Sequence, residues 1–132
     1  MTTIKSKAVI IGRSAADVYA YVSDLNNFLE LLPKDRIQDF KSDGDNCSFK
    51  VSGLATIGLK KKEEAAPNKL LLESTEGPFS FTLDIRIEDQ EEGVKAYQIA
   101  EVDLNPMMKM MVEKPLTNLF DHISDRLLKV LS

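Results

Sequence analysis

Ile10-Ile11-Gly12-Arg13-Ser14-Ala15-Ala16-Asp17-Val18-Tyr19-Ala20-Tyr21-Val22-Ser23-Asp24, continued by Leu25-Asn26-Asn27-Phe28-Leu29-Glu30-Leu31-Leu32-Pro33, is where the chain changes its hydrophobic period. It completes a segment, Thr3–Ile11, in which Ile4, Ser6, Ala8 and Ile10 alternate with Lys5, Lys7, Val9 and Ile11. A period of two with β-branched residues predicts one strand, ended by Gly12-Arg13. Ser14 stands three residues before Asp17, the spacing at which a hydroxyl and a carboxylate satisfy free amides at a helix start. Val18, Tyr21, Val22 and Leu25 then share one helical face. Asp24 can cap a second short helix carrying Leu25, Phe28, Leu29, Leu31 and Leu32, with Pro33 at its exit. One strand followed directly by two short helices is an unusual opening.

Beyond Arg36 the period returns to two. Turn clusters at Ser42-Asp43-Gly44-Asp45, Ala66-Pro67-Asn68, Glu76-Gly77-Pro78 and Gln90-Glu91-Glu92-Gly93 divide the chain into strands near 36–42, 46–52, 56–65, 69–75, 79–89 and 94–104. The clearest sets Phe79, Phe81, Leu83, Ile85 and Ile87 against Ser80, Thr82, Asp84, Arg86 and Glu88, one face for a core and one for water. Short connections make neighbours antiparallel. From Asn105 the period is helical again. Asn105 can cap, Pro106 fits the first helical position, and Val112, Leu116, Leu119, Phe120, Ile123, Leu127, Val130 and Leu131 form one apolar stripe. Pro115 predicts a kink, or a short helix followed by a longer one.

The 132 residues suit a single domain, 1–132, at 43% hydrophobic and 29% charged. The composition is too apolar for disorder, and no apolar run approaches the ~20 residues needed to span a bilayer, so stable membrane insertion is not expected. A net charge of −4 argues against nucleic acid as a partner. The opening Met1-Thr2-Thr3-Ile4-Lys5 lacks a signal-peptide stretch, and the lone Cys47 cannot form an intrachain disulfide, which points to a cytoplasmic setting.

The element order is strand, two helices, six strands and a long helix. It is an α+β arrangement in which a seven-stranded curved antiparallel sheet wraps a long C-terminal helix. With the motif of residues 10–33, the chain resembles the SRPBCC superfamily of helix-grip proteins. That group includes START-type lipid-transfer domains, polyketide cyclase-like proteins, coenzyme Q-binding proteins and the birch-pollen allergen family. The motif concerns the fold. The resemblance implies a cavity between sheet and helix that often holds an apolar small molecule; some members of the group catalyse reactions and others serve as chaperone cofactors.

The site residues must carry the function. His122 is the only histidine and Cys47 the only cysteine, so multi-histidine and zinc sites have too few protein ligands. His122 is either a general base facing the pocket or a residue on the polar flank. Cys47 shares a face with Phe49 and Val51 and is expected to act as a small buried hydrophobe. Met107, Met108, Met110 and Met111 are either core packing or an adaptable apolar surface bracketed by Pro106 and Pro115. Gln98 shares its parity with Val94, Ala96, Ala100 and Val102, and Ser6, Thr56 and Ser74 are further candidate inward polar points. With the register reversed, Tyr97 and Glu101 would face inward instead. Lys60-Lys61-Lys62 is either a contact for an anionic headgroup or phosphate or, as expected here, a solvated strand face that resists aggregation. No glycine-rich phosphate loop exists, and no cofactor is implied.

The leading expectation is binding of a lipid, quinone or polyketide-like molecule, with Phe49, Phe81, Leu83, Ile85, Gln98, Met111, Leu119 and Ile123 beside the cavity. A cavity below roughly 100 Å³ would overturn it. The alternatives are a polyketide cyclase or dehydratase-like enzyme, which needs polar groups converging in the pocket, and a protein-interaction module; a protein partner or a homodimer stays open.

Overall fold

The computed structural model describes residues 2–52 and 55–132. Among them, the elements are β1 (Thr2–Lys5), β2 (Val9–Ile11), α1 (Ala15–Val22), α2 (Phe28–Leu31), β3 (Ile37–Ser42), β4 (Asn46–Val51), β5 (Ala55–Ala65), β6 (Lys69–Glu76), β7 (Phe81–Gln90), β8 (Gly93–Val102) and α3 (Pro106–Leu131). Strands β8 back to β3 lie side by side in chain order, and β1 and β2 both pair with β8. Every pairing is antiparallel, so the sheet is seven strands wide and closes its first strand onto its last. The helix-grip arrangement expected from the sequence is present.

The first strand is two pieces, because Ser6-Lys7-Ala8 forms a bulge. Lys5 pairs with Ile99, but Val9 pairs with Ala96, so three residues on one strand face two on the other. An extra residue inverts the alternation beyond it. Ile4 points inward, yet past the bulge Val9 and Ile11 take the inner face and Ile10 turns outward, 56% exposed. Further register shifts occur between β3 and β4, near Asp39 (φ 55°), and twice between β5 and β6. Bulges bend and twist the strands that carry them, which suits a sheet curled around a helix.

The helix caps are those the sequence indicates. Ser14 Oγ accepts from the Asp17 amide at 3.1 Å, and Asn105 Oδ1 accepts from the Met108 amide at 2.8 Å. Asp24 caps a 3₁₀ turn, Leu25–Asn27, which precedes the single α-turn of α2 rather than one continuous short helix. Strand β7 starts at Phe81, two residues later than expected. Pro115 breaks nothing: α3 runs unbroken from Pro106 to Leu131. Its ring deprives the Met111 carbonyl of an amide partner, and Met111 is 70% exposed, so water can take that place.

Helix α3 is divided by burial rather than by geometry. Leu116, Leu119, Phe120, Ile123, Ser124, Leu127 and Leu131 are buried, and all follow Pro115. No residue between Asp103 and Pro115 is buried. The C-terminal part is gripped by the sheet, whereas no residue of the first turns is buried. Among the described residues no helix is long and apolar enough to cross a membrane.

Candidate functional site

The interior between the sheet, α2 and α3 contains one apolar cavity at the end nearest Leu116. Phe28 and Leu32 come from around α2, Phe49 from β4, Ile57 and Leu59 from β5, Phe81 and Leu83 from β7, and Val102 from β8. Leu116, Leu119, Phe120 and Ile123 descend from α3, and Phe79 completes the wall. Every one of these side chains is a hydrocarbon, so among the described residues no side chain offers a proton donor, acceptor or nucleophile to a bound molecule. The cavity volume is about 20 Å³. That is room for about one water, which an apolar wall keeps dry, and it lies below the roughly 100 Å³ set above, so the cavity as it stands fails that test.

Five of the expected neighbours, Phe49, Phe81, Leu83, Leu119 and Ile123, stand on this wall. Ile85, Gln98 and Met111 do not. Ile85 and Gln98 are paired across β7 and β8, one inward step beyond the pair formed by Leu83 and Ala100. Met111 precedes the partly buried Val112 and is turned ~100° round the helix from it, toward solvent. Met107 and Met110 share that outer face, at 74% and 89% exposure, so these methionines are not core packing. The cavity residues the expectation passed over, Phe28 and Leu32 above all, carried a signal in the apolar spacing after Asp24.

Gln98 belongs to a buried polar cluster. Its backbone amide donates to Ser6 Oγ at 2.9 Å and its side-chain amide to Ser124 Oγ at 2.9 Å. Ser6 Oγ lies 3.2 Å from Ser124 Oγ and donates to the Lys7 carbonyl at 3.0 Å. Ser6 thus substitutes for strand pairing at the bulge, and the cluster pins α3 to the β1–β2 junction. Gln98 is 2% exposed and its Oε1 has no partner. Thr56 is exposed, and Ser74 accepts from the Phe81 amide at 3.0 Å, so neither projects a free polar group into the interior.

The register leaves Tyr97 and Glu101 on the outer face. Glu101 accepts from Thr3 Oγ1 at 2.9 Å. Tyr97 is nonetheless buried, hydrogen-bonded to Glu88 and covered by Lys5 and Lys95, whose Nζ atoms lie 4.8 and 5.7 Å from its ring centroid. The hydrogen bond to Glu88, then burial, holds its phenol above the usual range. Lys60, Lys61 and Lys62 are paired with Glu73, Asp45 and Glu64 at 3.1 to 3.7 Å. His122 is half-buried in a surface cleft with Leu32, Pro33, Lys34, Asp35 and Arg126 and does not line the cavity.

Cys47 is buried beside Phe49. Burial, with Asp43 nearby, pushes its thiol from an ordinary value of 9.0 up to about 12, so it is no nucleophile at neutral pH. Between those values the unfolded chain has released the proton and the folded chain has kept it, so stability falls as pH rises. In urea titrations from pH 9 to 11, wild type is expected to lose up to about 1.4 kcal/mol per pH unit more than Cys47→Ala. Parallel curves for the two proteins would contradict this.

No protein-family profile matches the chain, and no curated protein sequence does. Solved structures match it across nearly its whole length. XoxI from Bacillus cereus superposes with a TM-score of 0.77 at 12% identity, covering 99% of this chain and 96% of that one. A START superfamily protein from Mycobacterium smegmatis gives 0.67 at 18% identity, over 98% and 99%. Norcoclaurine synthase from Thalictrum flavum gives 0.75 at 14% identity, over 98% and 85%. The chain therefore has the helix-grip fold of the START-like SRPBCC proteins. Likeness at this level of identity concerns the fold, and the chemistry of the site has to be read from its own residues.

Proposed function

We propose that this protein binds an apolar or amphipathic small molecule between the sheet and α3, admitting it by displacement of the first turns of α3. The observation that carries this reading is the wall of thirteen hydrocarbon side chains, four of them from α3 directly beyond a stretch, residues 105–115, in which nothing is buried. A resident ligand needs a pocket of roughly 300 Å³ or more, and the closed form encloses about 20 Å³. An empty void of ~300 Å³ would cost on the order of 7 kcal/mol at ~24 cal/mol per Å³. The open form is therefore negligible without ligand. A ligand that fills the void removes that cost and adds ~25 cal/mol per Å² of its own buried apolar surface. Binding thus selects a rare open state.

Proton-transfer chemistry of the cyclase or dehydratase kind lacks support in this wall, because no ionisable side chain reaches it among the described residues. A buried unpaired thiol fits a reducing, cytoplasmic setting.

Titration with N-phenyl-1-naphthylamine, a neutral apolar probe, is expected to give a saturable one-to-one rise in fluorescence. An unsaturable response, or none, would overturn the reading. Pro115 lies at the junction of the lifted and gripped parts of α3, which makes it the hinge. Pro115→Ala restores a helical amide and is expected to stabilise the protein by ~1–3 kcal/mol. It is also expected to slow probe uptake in stopped-flow mixing. An unchanged uptake rate would remove the hinge.

A further inference from the structure

The geometry points to an oxyanion-binding cleft next to the apolar cavity, so that the preferred ligand is an amphiphile with a single carboxylate or phosphate head. This rests on the cavity reading above and specifies the ligand's other end. The cleft, about 280 Å³, is formed by Leu32, Pro33, Lys34, Asp35, His122 and Arg126. Leu32 is also part of the cavity wall, and Ile123, next to His122, is another. One buried leucine therefore separates a hydrocarbon-lined space from a surface cleft that carries three basic side chains.

Arg126 is the organising residue. Its Nε donates to the Glu30 carbonyl at 3.0 Å, which fixes the plane of the guanidinium against α2. Among the described residues it makes no ion pair, and its two terminal nitrogens have no hydrogen-bond partner. An anchored guanidinium with a free edge is the fork that takes two oxygens of a carboxylate or phosphate. His122 stands one helical turn earlier on α3 and adds a ring nitrogen on the same side. Lys34 closes the opposite wall, its Nζ 3.3 Å from Glu30. Asp35 is the one carboxylate lining the cleft, and Glu30 is occupied by Lys34. Nearby, the Tyr21 hydroxyl is buried without a partner and lies within the fields of Glu30 and Arg126. A head held at Arg126 leaves its hydrocarbon chain at Leu32, facing the cavity.

Calorimetric titration at neutral pH of dodecanoate, dodecanol and inorganic phosphate tests this on wild type, Arg126→Gln and Lys34→Gln. Wild type is expected to bind dodecanoate about tenfold more tightly than dodecanol. Arg126→Gln is expected to abolish that preference, with a smaller loss in Lys34→Gln. Phosphate is expected to compete with dodecanoate and not with dodecanol. Equal affinity for the two chains in wild type, a preference that survives in Arg126→Gln, or equal loss of both ligands in that variant would each overturn the cleft. Phosphate that binds without displacing dodecanoate would show a free-anion site unconnected to the cavity, which also overturns it. Dodecanol binding without a carboxylate preference overturns the cleft alone, whereas binding of neither chain removes the cavity reading as well.

Discussion

Replacing Phe28 by alanine is expected to cost about 3–5 kcal/mol of folding stability and at the same time to create a binding site for small aromatic molecules. Phe28 is 1% exposed and brings α2 onto the cavity wall. It shares the cavity wall with residues of β4, β5, β7 and α3, so several elements would have to move together to fill the space it leaves. Most of that void should persist beside the existing cavity. Apolar voids of this kind stay dry and take up benzene. Saturating benzene is therefore expected to raise the unfolding midpoint of Phe28→Ala and to leave wild type unchanged, as linkage to ligand binding requires. A stability loss below ~1 kcal/mol, with no response to benzene, would mean that α2 collapses inward and the wall is not a framework.

The other large effect is expected at Gly93, which closes the hairpin between β7 and β8. Its φ of +134° is open to glycine and strained for any L side chain. A Cβ there would lie 2.0 Å from the Ile11 carbonyl oxygen and 3.0 Å from the Gly12 Cα, both backbone atoms. Neither can yield without separating β2 from β8. Gly93→Ala is expected to lose at least ~3 kcal/mol, with hydrogen exchange rising first at Val9–Ile11. Gly12 is the internal control: a Cβ there meets nothing within 4 Å, and Gly12→Ala should change stability by less than about 0.5 kcal/mol. Similar losses at both positions would show that the contact with Ile11 is unimportant.

What could be read from the chain, and what could not, follows from the range of the interactions involved. The strands from β3 to β8 were legible because their turns are marked locally and because β7 alternates without a break. The caps at Ser14 and Asn105 involve neighbours three residues away. The bulge at Ser6-Lys7-Ala8 has no such local mark. It depends on Ser6 meeting Gln98 and Ser124, partners 92 and 118 residues distant, and a strict alternation therefore carried Ile10 to the wrong face. Pro115 misled in a different way. Its cost is real, but Met111, whose carbonyl it orphans, is 70% exposed, and the helix continues.

The candidate site was legible in outline only. Parity placed Phe49, Phe81 and Leu83 on the concave face, and helical spacing placed Leu119 and Ile123 opposite them. The degree of closure depends on how deeply Phe28 and Leu32 are driven under α3, a property of three-dimensional packing. The position of Arg126 across from Lys34 likewise arises only when α2 and α3 meet.

Opening of the closed apolar interior to admit a ligand is tested most directly by methyl-resolved NMR during titration with dodecanol. The expected result is saturable shifts confined to the methyls of Leu32, Ile57, Leu59, Leu83, Leu116, Leu119 and Ile123, with exchange broadening in Met108 and Val112 as the first turns of α3 move. Shifts limited to the exposed methyls of Met107, Met110 and Met111, with the interior silent, would contradict it.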